Sequence, residues 1–145
     1  MDFDFNTVVG VGTLIATGFT AIGLITGVQI YKKQMNAQLF IEYTKRYEKV
    51  LSSFPPDALQ VRLKLTGEPP KASEETSRAV LRYLNLCSEE FYLCKQGYLS
   101  KNIWKIWEEE LNRTLRSPLL KREWNELNIE FEAYPEFRDY VNQMQ

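Results

Sequence analysis

The hydrophobic pattern begins with an uninterrupted apolar stretch close to the N-terminus. Residues Val8 to Val28, 21 in number, include no charged side chain. At a rise of about 1.5 Å per residue, a helix of this length spans about 30 Å, the thickness of the hydrocarbon core of a bilayer. The stretch therefore predicts one transmembrane helix over residues 8–31, with a short extracytoplasmic tail over residues 1–7 and a helical domain over residues 32–145.

Helical periodicity continues directly after this stretch. Apolar side chains recur at spacings of four and three, and no proline or glycine interrupts them before Pro55. The residues of this apolar face are Met35, Leu39, Tyr43, Tyr47 and Val50. We expect the transmembrane helix to run on into the helical domain, to end before Pro55, and to bury this face against the rest of the domain.

Five further helices are predicted from apolar periodicity and from residues that start or stop helices. They are a short helix over residues 57–66, one from the N-cap Ser73 to Gln96 with Gly97 after it, one beginning at Ser100, one beginning at Ser117-Pro118, and one after Pro135. The sequence has no convincing strand or hairpin signal. The predicted fold class is therefore all-α, with one N-terminal transmembrane helix that continues into a small cytoplasmic helical bundle.

The distribution of charge predicts the orientation in the membrane. All 18 Lys and Arg residues follow residue 31, beginning with Lys32 and Lys33, whereas the tail before the span carries Asp2 and Asp4. Basic residues favour the cytoplasmic side, so we expect the N-terminus outside, Lys32 and Lys33 at the membrane interface, and the domain in the cytoplasm. An acidic start also argues against a cleaved signal peptide. The expected location is the inner or plasma membrane, or the thylakoid membrane of a photosynthetic organism.

Small and hydroxylated residues follow one side of the predicted transmembrane helix. They alternate at spacings of three and four, and they are Thr13, Ala16, Thr20, Gly23 and Gly27. Such a stripe lets a second helix approach closely in lipid, although glycine and threonine are also simply tolerated in membrane helices. The predicted partners are therefore membrane lipid and another transmembrane helix, from a second copy of the chain or from a partner subunit.

The composition excludes several chemistries. The chain has no histidine, which removes the commonest general base and metal ligand. The domain after residue 31 is close to electrically neutral, so no nucleic-acid partner is expected. Cys87 and Cys94 are two helical turns apart, beyond disulfide reach, and are expected to be buried apolar residues. With no nucleotide-binding or nucleophile motif, we predict no catalytic, cofactor-binding or metal-binding residue, and hence not an enzyme.

Polar residues on the helix expected to be central allow two interpretations. Asn85 and Glu89 are four residues apart and share a face, and Glu90 follows them. Glu89 is either an acid, base or metal ligand, or one member of a hydrogen-bonded polar pair that cross-links helices. The absence of histidine favours the second interpretation. The acidic run Glu108 to Glu110 is expected to be largely solvated.

The domain also resembles a known group of proteins over roughly residues 35–145. The matching pattern is Asn85-x3-Glu89, Gly97, Trp104-x2-Trp107, Pro118, Trp124 and Phe137-x3-Val141. It is similar to an uncharacterised family of small bacterial membrane proteins, and the resemblance implies one N-terminal transmembrane helix, a compact helical domain and no assigned catalytic residue. A more distant similarity is to membrane-anchored, nuclease-like helical effectors of bacterial defence loci. Those need an Arg-x4-His pair, which a chain without histidine lacks.

Two functions are consistent with these features. The first is a single-pass membrane protein that acts through protein–protein contacts, as an accessory or assembly subunit of a membrane complex. The alternative is a membrane-tethered effector or sensor that self-associates through its transmembrane helix.

Overall fold

The computed structural model describes the backbone from Phe5 and the side chains from Ile22 to Gln145. Six α-helices follow one another in this range. They are α1 (Phe5–Leu51), α2 (Pro56–Val61), α3 (Glu74–Lys95), α4 (Lys101–Leu115), α5 (Pro118–Leu127) and α6 (Pro135–Met144), with a 3-10 helix over Asn128–Phe131. No strand occurs between residues 5 and 145, so the all-α prediction is confirmed.

The chain forms two compact units, Met1–Gln38 and Leu39–Gln145. Within residues 22–145, no helix combines the length and the apolarity that a membrane crossing requires. Residues 8–21 of the predicted span, which include three members of the small-residue stripe (Thr13, Ala16 and Thr20), lie outside the described side chains. The transmembrane helix over residues 8–31 therefore stays a prediction.

The last part of α1 belongs to the second unit, and the predicted apolar face packs against the core there, although only Tyr43 of its members is buried. Tyr43 is only 7 % exposed. Tyr47 and Val50 are partly buried and pack against the core. The helix ends at Leu51, ahead of Pro55, as the sequence predicted.

Helix α2 is shorter than the predicted range of residues 57–66. It ends at Val61, where the Lys64 N–H donates to the Val61 carbonyl oxygen at 2.9 Å and closes a tight turn. Leu63 in this turn is half-buried and Leu65 is exposed. The predicted end was therefore wrong, because a tight turn over residues 61–64 replaces the last helical turn.

Both ends of α3 follow the local chemistry that the sequence indicated. The Ser73 hydroxyl accepts a hydrogen bond from the Thr76 N–H at 3.2 Å and caps the first turn. At the other end Gly97 adopts φ +76°, a left-handed conformation that favours glycine. The Gly97 and Tyr98 N–H groups then donate to the carbonyls of Cys94 and Leu93, both at 3.0 Å, which satisfies the last carbonyls of the helix.

Serine caps also start α4 and α5. Ser100 accepts from the Ile103 N–H at 3.4 Å, and Ser117 accepts from the Leu120 N–H at 3.2 Å. Pro118 occupies the first turn of α5, where a missing N–H costs nothing. Helix α5 ends at Leu127, and Phe131 is buried from the 3-10 helix that follows. These starts confirm the sequence prediction. The predicted helix, however, ran on through Phe131 to Pro135, and that end was wrong, because the chain tightens into a 3-10 helix after Leu127.

The core of the second unit is built around α3, which packs against α4 and α5. Its largest fully buried side chains come from five different elements, and they are Tyr83, Phe131, Phe137, Leu84, Leu111, Leu115, Leu119 and Leu120. Each fully buried leucine or phenylalanine contributes roughly 1.5–3 kcal/mol of transfer free energy. The two cysteines are free thiols, with Cys87 buried as predicted and Cys94 only partly so.

Candidate functional site

A pocket of about 230 Å³ lies between α1, α3 and α4 in the second unit. Its lining combines aromatic rings with two carboxyl groups. The lining residues are Tyr43, Thr44, Tyr47, Tyr83, Cys87, Glu90, Ile106, Trp107 and Glu110. We call this cavity the tyrosine–glutamate pocket.

Glu110 is the centre of a hydrogen-bond network on one side of this pocket. Its Oε1 accepts from the Tyr47 hydroxyl at 2.9 Å and from the Thr114 hydroxyl at 3.0 Å. Its Oε2 accepts from the Tyr83 hydroxyl at 2.9 Å. One carboxylate on α4 therefore joins α1 and α3, and both of its oxygens are satisfied.

Glu90 lines the same pocket but, unlike Glu110, has no hydrogen-bond donor from the described residues. It is 7 % exposed, and it forms no hydrogen bond within the described part of the chain. Burial, followed by repulsion from Glu110, raises the pKa of Glu90 from 4.5 to about 8, and the attraction of Arg46 only partly opposes this rise. Glu90 is therefore mostly protonated at neutral pH, next to a carboxylate whose oxygens are already engaged.

Aromatic rings form the rest of the wall. Trp107 on α4 packs against Tyr43 on α1, with ring centroids 5.7 Å apart, and against Phe40 in a stacked pair at 5.9 Å. Tyr47 and Tyr83 form a tilted pair, with centroids 6.5 Å apart and ring planes at 59°. Such ring pairs add to the stability that their burial provides and fix the pocket's shape. The aromatic wall of the pocket is thus Tyr43, Tyr47, Tyr83 and Trp107.

Outside this wall, Glu89 links α3 to α1. Arg46 donates to both oxygens of Glu89, at 2.6 and 2.9 Å, and the Tyr43 hydroxyl donates to Oε2 at 3.1 Å. Hydrogen bonding from Arg46 lowers the pKa of Glu89, and burial raises the pKa of Tyr43 to about 12. The interpretation of Glu89 as a cross-linking residue is therefore confirmed, but its partner is Arg46 and not the exposed Asn85.

Cys87 is the one thiol in the lining of the pocket. Burial raises the pKa of its thiol well above the usual value, and nearby Glu90 and Glu110 raise it further. A thiol with a raised pKa stays protonated and is a poor nucleophile. The Cys87 thiol is therefore poorly suited to nucleophilic attack in this pocket.

The described residues predicted for membrane contact lie in the first unit. A Cβ added to Gly23 or Gly27 would meet no atom within 4 Å, and Lys32 and Lys33 are exposed. The tyrosine–glutamate pocket lies in the second unit and contains none of these residues. The described association residues and the pocket therefore belong to different units.

Sequence reasoning missed the pocket. Glu110 was expected to be solvated, yet it is partly buried and accepts three hydrogen bonds. One signal for it was present, because tyrosines at inward positions such as Tyr47 and Tyr83 need an acceptor for each hydroxyl. A carboxylate on a facing helix has two acceptor oxygens and can therefore accept from several such groups.

Comparison with known proteins gives no further assignment. No protein-family model, curated protein or solved structure matches the chain.

Proposed function

We propose that the chain is a single-pass membrane protein whose helical domain acts through protein–protein contacts, as an accessory or assembly subunit of a membrane complex. The observation that carries the membrane part of this proposal is the exposure of apolar side chains near the start of the described range. Ile22, Leu24, Ile25, Val28 and Ile30 are each at least half exposed, at 51–67 %. They continue a stretch without charge that begins at Val8.

A helix with this many exposed apolar side chains is unfavourable in water, because each leaves apolar surface hydrated. Lipid acyl chains would cover these side chains without any protein partner. Lys32 and Lys33, which follow directly and are exposed, would lie among anionic headgroups on the cytoplasmic side. This arrangement supports the single-pass orientation with the N-terminus outside.

An exposed apolar surface on the second unit supports a protein partner. Ile106 is 60 % exposed, and Phe40, at 38 %, stacks on Trp107. Aromatic residues of this kind are enriched at protein interfaces. We expect the partner to contact this surface of α1 and α4.

A second candidate function is self-association through the transmembrane helix, as in a membrane-tethered effector or sensor. The open space beside Gly23 and Gly27 favours it, because no other part of the described chain fills that space. A second helix carrying the same residues would fit there closely.

Membrane insertion and orientation are tested first. The chain is expected to resist alkaline extraction from membranes and to be released by detergent. A reporter fused to the C-terminus should give a cytoplasmic signal. An alkaline-soluble chain would refute the anchor, and an extracytoplasmic signal would refute the orientation.

Native mass spectrometry in mild detergent then separates the two functions. Co-purification with a larger complex supports the accessory subunit, whereas a defined homo-oligomer supports self-association. Replacing Gly23 and Gly27 together by Leu should weaken association by about 1–2 kcal/mol per interface without impairing insertion. The added side chains clash with nothing in the chain itself, so a loss of association reports on another helix. Leu14 and Ile22 changed to Val serve as the matched control.

A further inference from the structure

The tyrosine–glutamate pocket contains a carboxyl group that the fold leaves without a partner. Glu90 is 7 % exposed, lines the cavity and receives no hydrogen bond from the described residues. Neither Glu90 oxygen is sealed off from the cavity, since the one fully buried side-chain polar atom without a partner among the described residues is Arg62 Nε. The Glu90 carboxyl group therefore opens into the cavity, where its hydrogen-bond donor has to come from outside the chain.

The charged groups around Glu90 indicate that this donor should be positively charged. Glu110 adds a second carboxyl group to the same cavity, and its own donors are already provided by the protein. The nearby positive charge of Arg46 is engaged in its paired hydrogen bonds to Glu89. The titratable or charged groups that surround Glu90 are Tyr43, Arg46, Tyr47, Tyr83, Cys87, Glu89 and Glu110. The cavity itself therefore favours a cation.

The aromatic wall and the volume of the cavity indicate which kind of cation fits it. Faces of tyrosine and tryptophan attract cations by about 0.5–2 kcal/mol, more where water is excluded. A cavity of about 230 Å³ is smaller than the roughly 300–1,000 Å³ of pockets for drug-sized ligands. Glu90 needs N–H donors, which a primary ammonium has and a quaternary ammonium lacks.

We infer that the tyrosine–glutamate pocket binds a compact primary alkylammonium ion, with its N–H groups donating to Glu90 and its alkyl part packed between Trp107 and Ile106. The inference concerns a ligand of the second unit and does not depend on the membrane anchor. On binding, the alkylammonium ion replaces the proton of Glu90, because Glu90 must be a carboxylate to accept hydrogen bonds from the ammonium group at both oxygens. The released proton goes to the buffer.

The test uses the full chain in a neutral detergent and n-butylammonium as the probe, followed by isothermal titration calorimetry. The ammonium stays charged across the range used, since its pKa is close to that of a lysine side chain, about 10.4. Affinity should rise about tenfold between about pH 7 and pH 9, as Glu90 with a pKa of about 8 loses its proton. At about pH 7, titrations in two buffers of different ionisation enthalpy should report release of close to one proton.

Variants and related probes make the result specific to Glu90. In Glu90→Gln, affinity at about pH 9 should fall about tenfold or more, and its rise with pH should vanish. This variant has the shape of the protonated side chain and should fold normally at neutral pH. Glu126→Gln, on the exposed side of α5, removes the same charge away from the pocket and should leave binding unchanged. Tetramethylammonium and 1-butanol, which lack N–H donors and charge respectively, should each bind at least tenfold more weakly.

Three outcomes would overturn the inference. The first is no saturable binding of n-butylammonium between about pH 7 and pH 9, with circular dichroism showing a folded chain. The second is equal affinity in the wild type and Glu90→Gln. The third is an affinity that falls as the pH rises, which would mean that protonated Glu90 donates to a neutral ligand.

Discussion

Removing the Tyr83 hydroxyl should destabilise the second unit more than removing any other tyrosine hydroxyl around Glu110. Tyr83 is 1 % exposed and donates to Glu110 Oε2 at 2.9 Å. That is the one hydrogen bond Oε2 accepts from residues 22–145, since Tyr47 and Thr114 both donate to Oε1. In Tyr83→Phe the ring stays in place and one carboxylate oxygen loses its partner.

The expected cost follows from this geometry. A hydrogen bond to a carboxylate contributes about 1.5–3 kcal/mol, and leaving a buried acceptor unsatisfied places the loss in the upper half of that range. Tyr47→Phe should cost only about 1 kcal/mol, because Oε1 keeps the Thr114 hydroxyl. Tyr98→Phe is the matched control, since Tyr98 is 56 % exposed, and it should change stability by less than about 0.5 kcal/mol.

Urea unfolding of the full chain in neutral detergent, followed by tryptophan fluorescence, measures these differences. With a dependence of about 1–3 kcal/mol per molar urea, Tyr83→Phe should lower the unfolding midpoint by about 1–3 M. The double variant of Tyr47 and Tyr83 should depart from additivity by more than about 0.5 kcal/mol, because both hydroxyls share one carboxylate. If Tyr83→Phe costs no more than Tyr47→Phe, the assignment of separate donors to the two oxygens is refuted.

Three further predictions concern other parts of the second unit. Because the pKa of Glu90 is raised in the folded chain, its contribution to stability is fully present below about pH 4.5 and is lost as the pH rises through about 8. In that window the free energy of unfolding should fall by about 1.4 kcal/mol per pH unit. Glu90→Gln should make this slope shallower, and Glu126→Gln should leave it unchanged. A chain beginning near residue 54 should be much less stable, as measured by circular dichroism, than one beginning near residue 34, because it lacks Tyr43 and Tyr47. Equal stability of the two chains would show that the end of α1 is only a linker. Arg46→Ala should lower the free energy of unfolding by less than about 1 kcal/mol, and by less still at high salt, since the ion pair between Arg46 and Glu89 is substantially exposed. A larger loss in urea unfolding, or one that does not depend on salt, would contradict this prediction.

Helix ends were the most predictable part of the fold, because their chemistry is local. The Ser73 hydroxyl caps α3 by accepting from the N–H of Thr76, three residues further along. Gly97 ends α3 with a positive φ, which glycine adopts without strain. Ser117 and Pro118 act within a single turn in the same way. Such signals are complete within a few residues of sequence, so they can be interpreted without knowing the tertiary structure.

The pocket was not predictable in the same way, because its contacts join distant parts of the chain. Tyr83 precedes Glu110 by 27 residues, and Tyr47 precedes it by 63. A run of three glutamates on an amphipathic helix normally faces solvent, and nothing local distinguishes Glu110 from its neighbour Glu109, which is exposed. The end of α2 was missed for a similar reason, since the exposure of Leu65 depends on what the rest of the unit leaves uncovered.

Glu90 and Glu110 illustrate why residue type alone does not define this site. Both are glutamates that line the same cavity. Three hydroxyl donors from three helices converge on Glu110, so it serves the fold by holding α1 and α3 to α4. None of the described donors reaches Glu90, so burial and repulsion keep its proton bound until about pH 8. A fold that needed only stability would gain by replacing such an unpaired buried acid with an apolar side chain. The stability lost at Glu90 is therefore an argument that the residue is there to meet a ligand, and binding to Glu90→Gln tests that argument independently of the membrane anchor.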